Sequence, residues 1–251
     1  MPTWNAHQYL KFADERTRPC RDLTAAVVLP QVQRIIDIGC GPGNSSRVLA
    51  ERWPNAEITG LDSSQAMIEV AAREQPQYRW IVRDISEWAA NDHEHYDLVF
   101  SNAALQWVDN HASLYPKLLR RVTPGGAIAA QIPANFDALP HRLMREIAPA
   151  GVIVKEWHAH EPSFYYDALA PHAARVDIWE TEYQHIMPGP EAIVEWYKGS
   201  GLRPFLEAMQ SASERERFIE EYSDRIRAAF PPQPDGKILF PFRRLFLVAY
   251  A

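Results

Sequence analysis

A glycine-rich turn near the N-terminal end of the chain most constrains its fold. Gln33–Ile38 (QRIIDI) is short, apolar and rich in isoleucine, which predicts a buried strand. The segment Ser45–Trp53 predicts a helix that ends before Pro54. Three glycines lie between them, at Gly39, Gly41 and Gly43. Because glycine permits tight turns and close approach of a ligand to the backbone, this unit predicts an α/β fold with a ligand at the turn.

Further strands and helices alternate as far as about residue 132. Four more strands are predicted, at Glu57–Leu61, Tyr78–Val82, Tyr96–Ser101 and Ala127–Ile132. Helices are predicted between them, at 63–74 and 111–121, and the second ends at Pro124-Gly125-Gly126. This alternation predicts a mostly parallel sheet with helices on both faces, in which ligands bind beyond the carboxyl ends of the strands.

The second half of the chain is less regular. Strands are predicted at Asp177–Met187 and Arg244–Tyr250, which brings the total to seven. Helices are predicted at Leu139–Ala148, Pro190–Tyr197 and Ser213–Ala229. The stretch at about 188–235 therefore forms a mostly helical insertion between two strands, and we expect it to cover the ligand end of the sheet.

Composition excludes several classes of function. The chain has 251 residues, 47% of them hydrophobic, and a formal net charge of −6, with no stretch rich in Lys and Arg. We therefore expect no nucleic-acid partner. We also expect no membrane partner and no signal peptide, since the apolar runs are short. Two cysteines, Cys20 and Cys40, fit a cytoplasmic protein without disulfides, and no Cys/His cluster predicts a metal. The oligomeric state is left open.

The spacing of the glycines bears on the type of ligand. A dinucleotide fingerprint reads G-x-G-x-x-G, whereas here the third glycine comes one residue early and Pro42 removes a backbone donor. The turn suits an uncharged or zwitterionic ligand better than a phosphate. A tight strand–helix turn without any ligand remains the alternative.

Acidic residues follow the first three predicted strands. Asp62 ends the second strand, where a carboxylate can accept both hydroxyls of a ribose; the alternative is a helix cap. Asp84 ends the third strand, where it can accept a hydrogen bond from an adenine amino group while the backbone N–H of Ile85 reaches a ring nitrogen. The alternative for Asp84 is a solvated turn residue. Asp37 precedes the glycines and faces an amine of the ligand or supports the turn.

Five ordered motifs resemble those of the class I S-adenosylmethionine-dependent methyltransferases. They are DIGCGPGNSS (37–46), LDSS (61–64), RDI (83–85), FSNAALQWV (100–108) and TPGGAIAAQIP (123–133). The resemblance implies a Rossmann-like fold and S-adenosylmethionine as cofactor. The cofactor-binding residues that it implies are Asp37, Gly39, Cys40, Gly41, Gly43, Asp62, Ser63, Met67, Asp84, Ile85, Asn102, Ala103, Gln106 and Arg18.

A resemblance to the trans-aconitate methyltransferases extends over nearly the whole chain. The stretches that carry it include WNAHQYLKFADERTRP (4–19), AQIPANF (130–136), LMREIA (143–148), VDIWETEYQHIMPG (176–189) and GSGLRPF (199–205). It implies methylation of a carboxylate of a small tricarboxylate to a monomethyl ester. We predict one domain over 1–251, with an N-terminal helical lid (1–29), a cofactor-binding core (30–135) and an acceptor-side half (136–251).

An acidic protein that binds a polyanion needs locally placed donors. Arg145 and His141 lie four residues apart on a predicted helix, Tyr166 follows, and Arg203 and Arg244 flank the insertion. Their alternative role is that of surface charges or salt-bridge partners. Two aromatic residues complete the predicted acceptor set: Trp107 as a wall, with core packing as its alternative, and Tyr9 on the lid.

The reaction needs little from the protein besides alignment. A carboxylic acid with a pKa of roughly 4 is already ionised at pH 7, so no general base and no catalytic residue are predicted. Good alignment can supply about 7–11 kcal/mol of the barrier. The alternatives are a methyltransferase for another organic acid, hydroxyl or amine, and a non-catalytic nucleotide-binding module. An NAD-dependent oxidoreductase fits the glycine spacing less well.

Overall fold

A seven-stranded sheet forms the centre of the structure, a computed structural model that describes residues 13–149, 152, 154 and 159–251. The strands are β1 (Arg34–Ile38), β2 (Glu57–Asp62), β3 (Arg79–Val82), β4 (Tyr96–Asn102), β5 (Val122–Pro133), β6 (Arg175–Met187) and β7 (Ile238–Tyr250). Their order is β3-β2-β1-β4-β5-β7-β6. The first five pair in parallel and β7 pairs antiparallel to β5, so the prediction of a mostly parallel, seven-stranded Rossmann-like sheet is confirmed.

The helices connect these strands. They are α1 (Ala13–Ala26), α2 (Asn44–Arg52), α3 (Gln65–Glu74), α4 (Ile85–Asn91), α5 (His111–Leu119), α6 (Leu139–Ile147), α7 (Pro162–Leu169), α8 (Pro190–Lys198), α9 (Arg203–Ala208) and α10 (Ala212–Ala229). A short 3-10 helix covers Leu105–Trp107. In the parts of the chain that the structure describes, no helix has both the length and the apolar composition of a membrane span.

The central strands are apolar on both faces. Ile35, Ile36 and Ile38 of β1 are all fully buried. Strands covered on both faces by helices read as continuous apolar runs rather than as alternating patterns. The isoleucines of β1 therefore fix this strand in the middle of the sheet, and the turn that follows it lies in the middle of the carboxyl edge.

The chain folds into two compact units. The sheet unit contains residues 14–134, 158–181 and 244–251, and the helical unit contains the segments 135–157 and 182–243. The helical unit includes the predicted insertion at about 188–235 together with α6 and parts of β6 and β7. Its core combines aliphatic and methionine side chains with the buried aromatic side chains of Trp196, Tyr197, Phe205, Phe218, Tyr222, Phe240 and Phe242.

Some predicted boundaries were wrong. A proline inside a helix usually ends or kinks it, yet α1 continues through Pro19. Proline costs this helix one backbone hydrogen bond, but Pro19 is buried together with Cys20 and Leu23, so packing holds the helix through that position. Pro124-Gly125-Gly126 lies within β5 rather than before it, and β7 begins at Ile238 rather than Arg244. Helices α4, α7 and α9 were not predicted from the sequence.

Candidate functional site

The glycine turn brings the ends of β1 and β4 into close contact. Gly39 has a φ of 73°, and a Cβ at this position would lie 2.1 Å from the Cβ of Ala104. A side chain at Gly39 would therefore push the two loops apart. Gly41 differs, because a Cβ there would meet none of the described residues within 4 Å. Within the described part of the chain, the backbone at Gly41 thus borders open space, as a surface that receives a ligand must.

Asp37 is buried directly below this turn. Its Oδ2 accepts hydrogen bonds from the hydroxyls of Ser45 and Ser46, both at 2.6 Å. These contacts support the start of α2, whose N-cap, Gly43, makes no side-chain cap bond. Among the residues that the structure describes, Oδ1 of Asp37 has no hydrogen-bond partner. Burial raises the pKa of Asp37 to about 6, although the serine hydroxyls lower it.

Asp62 links the glycine turn to the end of β2. One carboxylate oxygen accepts the Gly41 N–H at 2.9 Å and the other accepts the Ser64 N–H at 2.8 Å. Partial burial raises its pKa from the ordinary value, while the backbone donors of Ser64 and Gly41 lower it. A carboxylate has about four lone-pair sites. Two remain for a ligand, so support of the turn and the predicted contact with ribose are compatible.

The loop after β4 adds two more acceptors. Ala103 adopts a φ of 56°, which is uncommon for a residue other than glycine. Its N–H donates to the Gln131 carbonyl at 2.9 Å, and its carbonyl accepts Nε2 of Gln106 at 2.7 Å. Within the described chain, Oε1 of Gln106 and Oδ1 of Asn102 are buried without a hydrogen-bond partner.

These unpartnered acceptors test whether the predicted cofactor fits. Buried polar atoms are normally hydrogen-bonded, and an unpaired one costs about 1–3 kcal/mol. The unpaired oxygens of Asp37, Asn102 and Gln106 are all acceptors, and they lie in or next to the turns that end β1 and β4. They call for a ligand with donors or positive charge. S-adenosylmethionine has an ammonium and a sulfonium group, so the residues fit it.

The remaining predicted cofactor residues lie in the sheet unit. Asp84 is exposed, and its Oδ1 caps α4 by accepting the N–H groups of Ser86 and Glu87 at 2.8 and 3.1 Å. The side chain of Ile85 lies 3.6 Å from the position of a Cβ on Gly39. The others are buried Met67 and Cys40 and exposed Ser63 and Arg18. Burial raises the pKa of the Cys40 thiol, which fits packing rather than nucleophilic chemistry.

Three predicted acceptor residues lie in the helical unit and have partners there. Arg145 donates to the Phe136 carbonyl at 2.9 Å, stacks on that ring at 4.3 Å and lies 3.6 Å from Asp137. Arg203 pairs with Glu207 at 2.9 Å. His141 is buried against Tyr197, with ring centroids 4.9 Å apart, and burial lowers its pKa to about 3. The neutral imidazole brings no positive charge to an anion.

The other predicted acceptor residues are placed as follows. Trp107 is half-buried in the 3-10 helix, which His111 supports through a 2.9 Å contact with the Leu105 carbonyl. Tyr166 is exposed on α7. Tyr9 lies outside the described residues, as does the rest of 1–12 of the predicted lid. The roles of Arg145, His141, Arg203, Trp107, Tyr166 and Tyr9 in acceptor binding stay predictions.

One polar pair in the sheet joins Arg244, a candidate donor for the acceptor, to Gln131, which was not a predicted site residue. Gln131 of β5 and Arg244 of β7 are buried, and Nη1 of Arg244 donates to Oε1 of Gln131 at 3.2 Å. Gln131 interrupts the apolar run AIAAQI, and Arg244 directly precedes the apolar run LFLVAY. A polar residue inside a buried strand is the sequence signal that could have identified Gln131.

Comparisons with known proteins agree with this geometry. Residues 35–126 match the family described as "Methyltransferase domain". The YcgJ protein of Bacillus subtilis has a similar fold, with a TM-score of 0.58, 14% identity and coverage of 93% of this chain and 98% of that one. An O-methyltransferase of Brevibacillus brevis has a TM-score of 0.55, 15% identity and coverage of 98% and 75%. The fold is therefore that of the class I methyltransferases.

Two relatives narrow this class further. Trans-aconitate 2-methyltransferase of Azoarcus sp. (strain BH72) is 48% identical over 254 residues, which cover 99% of each chain. The enzyme of the same name from Variovorax paradoxus (strain S110) is 44% identical over 257 residues, covering 99% of this chain and 98% of that one. The chain belongs to the trans-aconitate 2-methyltransferase family.

Proposed function

We propose that this chain transfers the methyl group of S-adenosylmethionine to a carboxylate of trans-aconitate and releases a monomethyl ester. The observation that carries the proposal is the 48% identity over 99% of both chains with a relative of that name. The acceptors at the ends of β1, β2 and β4 support the choice of cofactor. Two free, buried cysteines support a cytoplasmic location.

The chain's own residues hold the cofactor in a defined orientation. Asp62 receives the ribose hydroxyls on its two remaining lone pairs while it fixes the turn through Gly41. Asp84, with one oxygen engaged in capping α4, offers the other to the adenine amino group. Asp37 and Asn102 turn their unpaired oxygens toward the positively charged end of the cofactor. The glycine turn allows this end to approach the backbone.

The chemistry requires alignment and no proton transfer. S-adenosylmethionine supplies a methyl group on a positively charged sulfur, and sulfur leaves as a neutral thioether. The acceptor oxygen is already ionised at neutral pH, since carboxylic acids have pKa values of roughly 4. Asp37 and Asp62, the acids next to the turn, are engaged by hydroxyls and backbone N–H groups. They therefore bind and orient and are not used as bases.

The test is a methyl-transfer assay with labelled S-adenosylmethionine and the purified protein. A panel of organic acids, including both aconitate isomers, is compared with hydroxyl and amine compounds. We expect label in trans-aconitate as a base-labile methyl ester. Preferential methylation of a hydroxyl or amine would replace the acceptor in this proposal, and cofactor binding without transfer to any compound would favour a non-catalytic module.

A further inference from the structure

Two buried polar side chains lie side by side in the sheet unit. Gln131 is fully buried and Arg244 is 3% exposed. Nη1 of Arg244 donates to Oε1 of Gln131 at 3.2 Å. Arginine is rarely buried to this extent, because a guanidinium is costly to remove from water unless it is paired.

Strand register places this pair next to the predicted cofactor residues. Asn102 at the end of β4 lies opposite Gln131 of β5, and Arg244 of β7 lies opposite Pro133. Because side chains alternate along a strand, Asn102, Gln131 and Arg244 all lie on one face of the sheet. They follow one another across three adjacent strands near its carboxyl edge. The pair therefore lies on the side of Asn102 away from the glycine turn that follows β1.

The pair presents donors rather than acceptors. The contact with Arg244 fixes the orientation of the Gln131 amide, because the guanidinium can only donate and must meet the carbonyl oxygen. Nε2 of Gln131 consequently points elsewhere, and in the described part of the chain it has no hydrogen-bond partner. The guanidinium of Arg244 adds a positive charge next to this amide. An amide N–H and a guanidinium together suit a carboxylate.

Aromatic packing keeps this part of the sheet apolar. Phe246 lies opposite Gln131 in β7 and is fully buried. The ring of Trp179 stacks on it with centroids 5.0 Å apart and an interplanar angle of 6°. Electrostatic interactions are stronger in such surroundings than in water. The apolar neighbours therefore increase the effect of the two donors on an anionic ligand.

We infer that Gln131 and Arg244 bind a carboxylate of the acceptor other than the one that receives the methyl group. This inference rests on the proposed function and adds a specificity rule to it. Acceptors need at least two carboxylates, one held by the pair and one directed at the sulfonium. Dicarboxylates and tricarboxylates are accordingly methylated in preference to monocarboxylates of similar size.

The test uses two variants with different effects on the pair. Gln131→Leu removes the amide donor, whereas Gln131→Glu keeps an acceptor for Arg244 and places a negative charge where the ligand carboxylate would lie. Each should raise the KM for trans-aconitate at least tenfold. The affinity for S-adenosylmethionine, measured by calorimetry, should change less than twofold. Arg243→Lys is the matched control, since Arg243 is the exposed neighbour on the same strand.

Direct binding separates this inference from the proposed function. Calorimetric titration of each folded variant with trans-aconitate, in the presence of S-adenosylhomocysteine, should give a loss of affinity that matches the rise in KM. Unchanged KM and affinity in both Gln131 variants, with an active wild type, would overturn the inference and leave the proposed function intact. Equal use of monocarboxylates by the wild type would also overturn it. A wild type that binds trans-aconitate through this pair but methylates nothing would sustain the inference and overturn the function.

Discussion

Replacement of Asp37 by asparagine tests the electrostatic reasoning at the glycine turn. The carboxylate is fully buried, and Oδ2 carries both serine hydrogen bonds while Oδ1 has no partner in the described chain. Asparagine has nearly the same shape, retains an acceptor for Ser45 and Ser46, and has no charge. Asp37→Asn therefore isolates the free energy of burying the negative charge.

The raised pKa gives the size and sign of the effect. Between the ordinary pKa of 3.8 and the folded value of about 6, the folded chain retains a proton that the unfolded chain has lost. Wild-type stability therefore falls as the pH rises through this window. The gap between the two pKa values corresponds to about 3 kcal/mol. Because the amide does not titrate, the stability of Asp37→Asn relative to wild type should grow by most of that amount, about 2.4 kcal/mol, between pH 4 and pH 7.

Urea denaturation of the ligand-free protein across this pH range measures the difference. Any cost of leaving the new amide N–H unpaired is independent of pH and does not affect the trend. Glu220→Gln, at an exposed position of α10, is the control and should give a constant difference. A constant difference for Asp37→Asn as well would refute the reasoning.

The same substitution should weaken cofactor binding. In the wild type, a cationic ligand next to Oδ1 offsets the cost of the buried carboxylate, so affinity should rise as the pH rises through about 6. In Asp37→Asn this rise should disappear, with at least tenfold weaker binding of S-adenosylmethionine at pH 7.5. Calorimetry at pH 5 and pH 7.5 measures both effects.

Three other predictions concern the same turn and the reaction. Asp62→Ala should weaken S-adenosylmethionine binding at least tenfold in calorimetry. Asp62→Asn should weaken it less, because asparagine keeps one acceptor oxygen. Equal affinity in the wild type and both variants would contradict the ribose contact. Gly39→Ala should lower the free energy of unfolding by about 1–3 kcal/mol more than Gly41→Ala. Both glycines have a positive φ, but only a Cβ at Gly39 overlaps Ala104. Equal losses of unfolding free energy in urea denaturation would exclude the overlap. The pH profile of kcat at saturating substrates should be flat from pH 7 to 9, and a limb there assigned to a protein group would contradict direct attack by a carboxylate.

The cofactor side of the fold could be predicted because its signals are local. The strand of β1, the glycine turn and the start of α2 are consecutive in the sequence, and acids at strand ends mark one edge of a parallel sheet. The hydrogen bonds by which each acid also supports the protein itself could not be predicted from the sequence. Asp37 supports α2 through serines eight and nine residues away, and Asp62 holds Gly41 across the turn.

The acceptor side was less accessible to sequence reasoning. Arg145 and Arg203 stood out as cations after the sheet, but their partners, Phe136, Asp137 and Glu207, emerge only when the helical unit is folded. His141 appeared on the same helical face as Arg145, yet burial against Tyr197 keeps it neutral. Burial and distant pairing determine the charge of such groups, and neither follows from spacing along one helix.

The positive φ of Ala103 has a consequence for how the site is prepared. A left-handed conformation costs a non-glycine residue about 1–2 kcal/mol, and here two hydrogen bonds, to Gln131 and from Gln106, hold it in place. The loop that ends β4 is thus locked into a single conformation while the chain folds. This loop then needs little further ordering when a ligand binds. A loop with one fixed conformation favours ligands that match its shape over ligands of many different shapes.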